Sequence, residues 1–217
     1  MTAILAWLDQ PAFLLFQVPV TWAEALGDVT GALCVWLLAR QNILTWPLGL
    51  LNNLFWGVLF FRSRLYADSF LQSLFFGFGV YGWWRWSRTR GSAAVPAEPV
   101  RRTSTQQWRV LAALTGGATV AAALVLTRAT DSPAPLADAS VLTLSLAATY
   151  GQAHRLLESW LIWIAVNVVS VPLYVSRGLY PTAALYVVFG VLCVQGYCAW
   201  SRAVPRSLPP DGRQVSG

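Results

Sequence analysis

Trp160, Trp163 and Asn167 stand at i, i+3 and i+7 in one apolar stretch. On a helix that spacing returns to nearly the same face. Indole rings offer flat surfaces for stacking, and an amide offers both a donor and an acceptor to a polar ring edge. Together they suit a flat, polar, nitrogen-containing ring. If that ring is cationic, each desolvated aromatic face contributes up to about 2 kcal/mol without a counter-carboxylate. The chain offers little for catalysis. It has one histidine, His154, and three cysteines, Cys34, Cys193 and Cys198, in apolar segments without paired spacing. No metal site, disulfide framework, cofactor or catalytic group is indicated, and an enzyme is disfavoured.

The same pattern occurs earlier in the chain. Trp46, Asn53, Leu59, Leu65, Tyr66, Leu71, Phe75, Val80, Gly82 and Trp86 recur 114 positions later as Trp160, Asn167, Leu173, Leu179, Tyr180, Leu185, Phe189, Val194, Gly196 and Trp200. Trp and Asn are unusual residues to repeat inside apolar segments. Asn53 and Asn167 fall near mid-segment, where an amide facing lipid is costly, so both are expected to line one central space. Gln72, Gln195, Tyr150 and Gln152 are candidates to add hydrogen-bonding groups there, with Tyr81 and Tyr150 as weaker candidates for a gate or site. A duplicated membrane unit of this kind points to a transporter.

The elements that must position these groups are membrane helices. Hydrophobic residues make up 56% of the chain and charged ones 11%, far from an ordinary soluble domain. Stretches long enough to cross about 30 Å of hydrocarbon are expected at 22–39, 43–61, 67–86, 110–127, 137–153, 158–175 and 181–200. The fold class is therefore all-α integral membrane, with seven transmembrane helices. The fourth, rich in Ala and Gly, has no partner in the repeat. Three helices plus one make an even number of crossings, so the second copy enters the membrane in the same direction as the first. The plan is 3+1+3 with parallel repeats. The expected organisation is an N-terminal interfacial segment at 1–21, a first three-helix repeat at 22–86 and a loop at 87–109. A linker helix at 110–127, a second repeat at 137–200 and a disordered tail at 201–217 follow.

All 15 basic residues are Arg, and their distribution reads as topology, not nucleic-acid binding. One side receives Arg40, Arg85, Arg88, Arg90, Arg101, Arg102, Arg109, Arg155, Arg202, Arg206 and Arg213, the other only Arg62, Arg64, Arg128 and Arg177. Taking the rich side as cytoplasmic puts the N-terminus outside and the C-terminus inside. The first twenty residues lack a basic start and carry Pro11 and Pro19, so a cleaved signal is not expected. A short interfacial helix is expected instead, with Phe13, Leu14 and Phe16 buried in lipid and Trp7 at headgroup depth. Trp22, Trp83, Trp84, Trp86, Trp108 and Trp200 read as interfacial belt residues. Every acidic residue is expected in a loop, a tail or a first helical turn, which disfavours proton coupling. Asp68, spaced i, i+4 from Arg64, and Glu158 read as structural, and His154 as a helix-end residue.

The run Asn42-Ile-Leu-Thr-Trp46-Pro47-Leu-Gly49, then Arg64-Leu-Tyr66-Ala-Asp68 and Tyr81-Gly82-Trp83, resembles the PnuC family of bacterial vitamin transporters. So does Glu158-Ser-Trp160-Leu-Ile-Trp163-Ile-Ala-Val-Asn167, continued by Pro172-Leu-Tyr174-Val and Gly178-Leu-Tyr180. The resemblance covers about residues 24–200. It implies a 3+1+3 fold similar in plan to the SWEET sugar transporters, in the bacterial inner membrane. It also implies facilitated diffusion of a vitamin that a cytoplasmic kinase traps by phosphorylation, without a stable complex between the two. For this branch the implied substrate is nicotinamide riboside; relatives carry thiamine or riboflavin, and a non-transporting vitamin sensor is the other alternative. The family's WxxW substrate motif maps onto Trp160 and Trp163, while Asn167 departs from the Asp expected in many relatives. The resemblance leaves room for a homo-oligomer.

Overall fold

The computed structural model describes residues 7–8, 10–62, 66–89, 98–130 and 133–205. The Arg64–Asp68 pair, Arg90, Arg206, Arg213 and the tail from 206 lie outside the described residues or their described side chains. From Pro11 to Thr21 the N-terminal segment is a hairpin where a helix was expected, while Trp7 and Leu8 before it are helical. Strands β1 (Pro11–Leu15) and β2 (Val18–Thr21) pair antiparallel, with Leu14 opposite Pro19. Phe16 and Gln17 between them take φ of 52° and 64°, the left-handed pair that a two-residue type I′ loop requires. Proline at both ends of so short a segment also denies a helix its N–H donors. Phe13, Leu14 and Phe16 stay exposed, and Trp7 stacks on Trp22 at 5.2 Å.

Seven α-helices follow among the described residues: α1 (Trp22–Ala39), α2 (Thr45–Arg62), α3 (Tyr66–Arg88), α4 (Thr105–Ala129), α5 (Pro135–Ala153), α6 (Ser159–Ser176) and α7 (Tyr180–Ala203). The largest departure from the expected spans is at α4, which begins at Thr105 because Ser104 and Gln107 form a capping box there. Thr21 and Glu24 cap α1 in the same way. Pro135 and Pro181 occupy early helical positions in α5 and α7, where a missing N–H costs nothing. Helices α1, α4, α6 and α7 are each long and apolar enough to cross a membrane. Leu51, Leu54, Val58, Val168, Val187 and Val191 are among many large apolar side chains facing outward, while Ser159, Asn167 and Ser170 are buried. That inversion of the soluble pattern is what a lipid solvent selects.

Helix α1 packs on α2 and α7, α2 on α3, α3 on α5, α5 on α6, and α6 on α7, closing a ring of six. Helix α4 stands against α5 and has no buried residue. The core of the Arg-rich end is a row of four indoles. Trp46 meets Trp86 edge-on at 5.6 Å, Trp160 meets Trp200 edge-on at 5.5 Å, and Trp86 and Trp200 lie 6.4 Å apart. A Cβ added at Gly82 would run into the Trp46 ring, and one at Gly196 into the Trp160 ring. Trp86 Nε1 donates to the Gln152 carbonyl at 3.3 Å, and Trp200 Nε1 to the Leu38 carbonyl at 3.2 Å. Trp86 and Trp200 are thus fully buried core residues, not belt residues. They stand at the interfacial depth the belt reading used, but on the face turned to the ring. Trp22, Trp83, Trp84 and Trp108 are exposed.

Candidate functional site

Helix α6 carries the polar groups. Trp160 Nε1, Trp163 Nε1, Asn167 Oδ1 and Ser170 Oγ are all buried, with no hydrogen-bond partner among the described residues. They follow i, i+3, i+7 and i+10, a single stripe about 15 Å long. A buried polar atom left unpaired costs roughly 1–3 kcal/mol, so four in one stripe is a large standing penalty. Such a stripe is explained when a polar solute supplies the missing partners. Ser170 was not among the sequence candidates, although the same periodicity, extended by one turn, reaches it.

Asn167 is held by its amide nitrogen. Nδ2 donates to the Trp163 carbonyl at 2.7 Å and to Cys193 Sγ at 3.8 Å. Its Cβ lies 3.7 Å from where a Cβ on Gly190 of α7 would stand. The amide is therefore fixed with Oδ1 as an acceptor, one turn from the Trp163 N–H donor. A donor and an acceptor at that spacing match a carboxamide or the imide edge of a flavin ring, each of which presents a C=O next to an N–H. Pro172 in the same helix removes one backbone N–H beyond the stripe.

Trp160 and Trp46 are buried between their glycines and the neighbouring indoles, and the partly buried Trp163 packs against the same cluster. Position 49 of α2 holds Gly in the place that Trp163 occupies in α6, and a Cβ added at Gly49 meets nothing within 4 Å. There is open space at that point. Asn53 and Gln72 are half-buried; an added Cβ at Gly57 would sit 3.5 Å from Cβ of Gln72. Asn52, the neighbour of Asn53, ties α2 to α1 by donating to the Gly27 carbonyl at 2.8 Å and to Thr30 Oγ1 at 2.7 Å.

Gln195 of α7 is exposed, and it shares with Asn167 the lining of a groove between α6 and α7. The remaining candidates lie elsewhere. Tyr81 pairs with His154 Nε2 at 3.1 Å, and Tyr150 is exposed with its ring 4.1 Å from that of His154. These three residues join the ends of α3 and α5. His154 caps α5, and burial lowers its pKa from the ordinary 6.5. Gln152 is buried and gives its carbonyl to Trp86. Glu158 accepts from both N and Oγ1 of Thr103 at 2.7 Å, a structural tie.

One carboxylate stands deeper than the sequence reading placed it. Asp28 is the seventh residue of α1, half-buried, beyond the first turn. The Tyr186 ring of α7 lies 4.9 Å from that of Tyr174 in α6. A Cβ added at Gly31, one turn beyond Asp28, would stand 3.5 Å from the Phe189 ring. The i, i+3, i+7, i+10 run Asp28, Gly31, Val35, Leu38 was the available signal for this face. Beyond Ser170, toward the Arg-poor end, stand the two phenols of Tyr174 and Tyr186 and, on α1, the half-buried Asp28.

At the Arg-rich end the two sides of the ring are fastened together. Arg155 Nη1 donates to Gln41 Oε1 at 3.1 Å, and its guanidinium lies 4.0 Å over the Trp86 ring. Burial lowers the Arg155 pKa, an effect the Glu98 charge opposes.

Residues 21–202 match the family model described as nicotinamide mononucleotide transporters. The chain is 30% identical to the riboflavin/roseoflavin transporter RibM of Streptomyces davaonensis, over 89% of this chain and 91% of that one. It is 24% identical to the nicotinamide riboside transporter PnuC of Escherichia coli, over 83% and 85%. Among solved structures, the crystal structure of the vitamin B3 transporter PnuC is similar at a TM-score of 0.69 and 22% identity, covering 84% of this chain and 81% of that one.

Proposed function

Because the chain belongs to the nicotinamide mononucleotide transporter family, whose members are membrane transporters and not enzymes, we propose that it carries nicotinamide riboside across the bacterial inner membrane by facilitated diffusion. The substrate is then trapped by a cytoplasmic kinase that forms no stable complex with the transporter. The observation that carries this reading is the fixed donor and acceptor pair of Trp163 Nε1 and Asn167 Oδ1, buried and unpartnered on α6. The carboxamide of nicotinamide riboside pairs with both, and its cationic pyridinium stacks on the Trp163 ring in the space beside Gly49.

The working unit is a 3+1+3 arrangement of parallel repeats, SWEET-like in plan, with residues 22–86 and 137–200 as halves and α4 as the linker. Its support is the contact pattern: α1–α2, α2–α3 and α3–α5 correspond to α5–α6, α6–α7 and α7–α1. The N-terminus lies outside and the C-terminus in the cytoplasm, as the Arg distribution requires. The halves rock about the site. Separation at the Arg-rich end breaks the Trp86 and Trp200 bonds and the Arg155–Gln41 pair, which all cross between halves.

A second reading, riboflavin as substrate, is favoured by the 30% identity to RibM; the imide edge of its flavin ring also carries C=O and N–H groups. Equilibrium binding to the purified protein separates these, with nicotinamide riboside, riboflavin and thiamine titrated against wild type, Trp163→Ala and Asn167→Ala. Nicotinamide riboside is expected to bind tightest and to lose about tenfold on each substitution, one charge-free hydrogen bond or stacking contact apiece. Unchanged binding by Trp163→Ala would overturn the site. Tighter binding of riboflavin, lost in the same variants, would overturn only the substrate, and binding without uptake into proteoliposomes would make the protein a sensor.

A further inference from the structure

A second cavity, of about 460 Å³, lies between α4, α5 and α3, away from the α6 stripe. Its walls change character along their length. At the Arg-rich end they are Arg101, Thr103, Gln106 and Gln107; from Val110 to Ala118 on α4, facing Leu146 and Ala147 on α5, they are apolar. Helix α4 from Gln107 to Ala118 rises about 16 Å, half of a hydrocarbon core of about 30 Å, which is the depth of one leaflet. At its far limit Thr119 Oγ1 is hydrogen-bonded to Thr143 Oγ1, tying α4 to α5. The cavity is open because α4 buries none of its residues against the bundle.

The polar end is built on fixed backbone. Arg101 N donates to the Arg155 carbonyl at 3.1 Å and the Arg101 carbonyl accepts from Leu157 N at 3.0 Å. The Arg101 side chain is oriented by Nη1 donating to Gln107 Oε1 at 3.1 Å. The nearby acids are already engaged: Glu98 by Arg85 at 2.8 and 3.0 Å, and Glu158 by Thr103. His154 at the same rim is held by Tyr81 and by the Tyr150 carbonyl. Arg102 and Arg109, both exposed, add further positive charge. The rim therefore presents net positive potential at headgroup depth, above a slot one leaflet deep.

We propose that this cleft is a binding site for an anionic phospholipid of the Arg-rich side's leaflet, its phosphate at Arg101 and one acyl chain along α4 between Val110 and Ala118. Basic pockets between membrane helices on the cytoplasmic side hold anionic headgroups by the same physics. The site is independent of which vitamin the α6 stripe binds.

The test uses the full chain in neutral detergent and counts bound lipid by native mass spectrometry, with phosphatidylglycerol and phosphatidylcholine of identical acyl chains. Wild type is expected to prefer phosphatidylglycerol by about fivefold. Arg101→Gln loses that preference and Arg101→Lys retains part of it. Ala118→Trp, or Leu114→Trp if the first does not fold, loses binding of both lipids. Equal binding of the two lipids by wild type, or a preference untouched by Arg101→Gln, overturns the proposal. So does phosphatidylglycerol that inorganic phosphate displaces from wild type and that Ala118→Trp and Leu114→Trp still bind unchanged, which would mark a simple anion site.

Discussion

Arg155 donates to Gln41 Oε1 at 3.1 Å, and the two residues occupy equivalent places 114 positions apart in the two copies of the repeat. Both take left-handed backbone, with φ of 52° and 54°. Each follows the carbonyl, of Gln152 or Leu38, that accepts from a buried indole of the other half. The contact joins equivalent positions of the two duplicated passages. Sequence identity gives no sign of it, because Gln and Arg differ and the indoles bond to backbone.

That contact yields the first expected outcome. Arg155→Ala removes a charge-assisted hydrogen bond and a cation over Trp86, and is expected to cost about 2–3 kcal/mol. Gln41→Ala removes a partner but no charge, and is expected to cost about 1 kcal/mol. Thermal melting in detergent checks both. The double variant should fall well short of the sum, since both substitutions break one bond.

Gly82→Ala and Gly196→Ala each place a methyl group against an indole, and overpacking of this kind costs about 1–3 kcal/mol. The two costs should be similar, because the two sites repeat one another. Trp160→Leu in the Gly196→Ala background makes room again and should restore part of the melting temperature. A Gly196→Ala protein as stable as wild type would mean that the indole row is loosely packed.

How far the site was legible depended on whether identity or face carried the information. The Trp and Asn repeats stood out because such residues are rare in apolar helices, and Trp163 and Asn167 do lie on one buried stripe. Trp86 and Trp200 were misplaced because belt and core tryptophans share a depth near helix ends. The repeated Gly82 and Gly196, which make room for Trp46 and Trp160, were the clue to which face was packed. Asp28 is the seventh residue of α1, beyond the first turn expected of it, although the expected and observed helix starts coincide at Trp22. The hairpin at Phe16–Gln17 lacks the Asn-Gly signal that a type I′ turn usually shows.

Stability should depend on pH through His154. Burial lowers its folded-state pKa below the ordinary 6.5, so between the two values the unfolded chain binds more protons. Stability then rises with pH. The contribution is fully present above about pH 6.5 and is lost as pH falls from there toward the folded value. Melting temperature measured from pH 7.5 to 5 should decline more steeply for wild type than for His154→Gln; parallel curves would remove His154 as the cause.

Gly49 tests the space opposite Trp163. Because an added Cβ there meets nothing within 4 Å, Gly49→Ala should fold and transport nearly as wild type does. Gly49→Trp should fold as well, yet fill the room needed by a ring. Uptake into proteoliposomes is expected to drop at least tenfold with little change in melting temperature. Normal uptake by Gly49→Trp would place the substrate path elsewhere.

Asp28 separates charge from shape in substrate choice. Its carboxylate is half-buried near the N-terminal end of α1, toward the Arg-poor end, which the proposed topology makes the outer approach to the α6 stripe. A cation passing it gains a favourable interaction; at an effective dielectric near that of a protein surface, a unit charge a few ångströms away contributes on the order of 1 kcal/mol after solvation losses. Asp28→Asn keeps the size and hydrogen bonding of the side chain while removing the charge. Uptake of cationic nicotinamide riboside at low concentration should fall about fivefold, whereas uptake of neutral riboflavin, if carried, should be unchanged. Equal losses for both would assign Asp28 to holding α1 and α7 together, and equal melting temperatures of variant and wild type would then argue against that in turn.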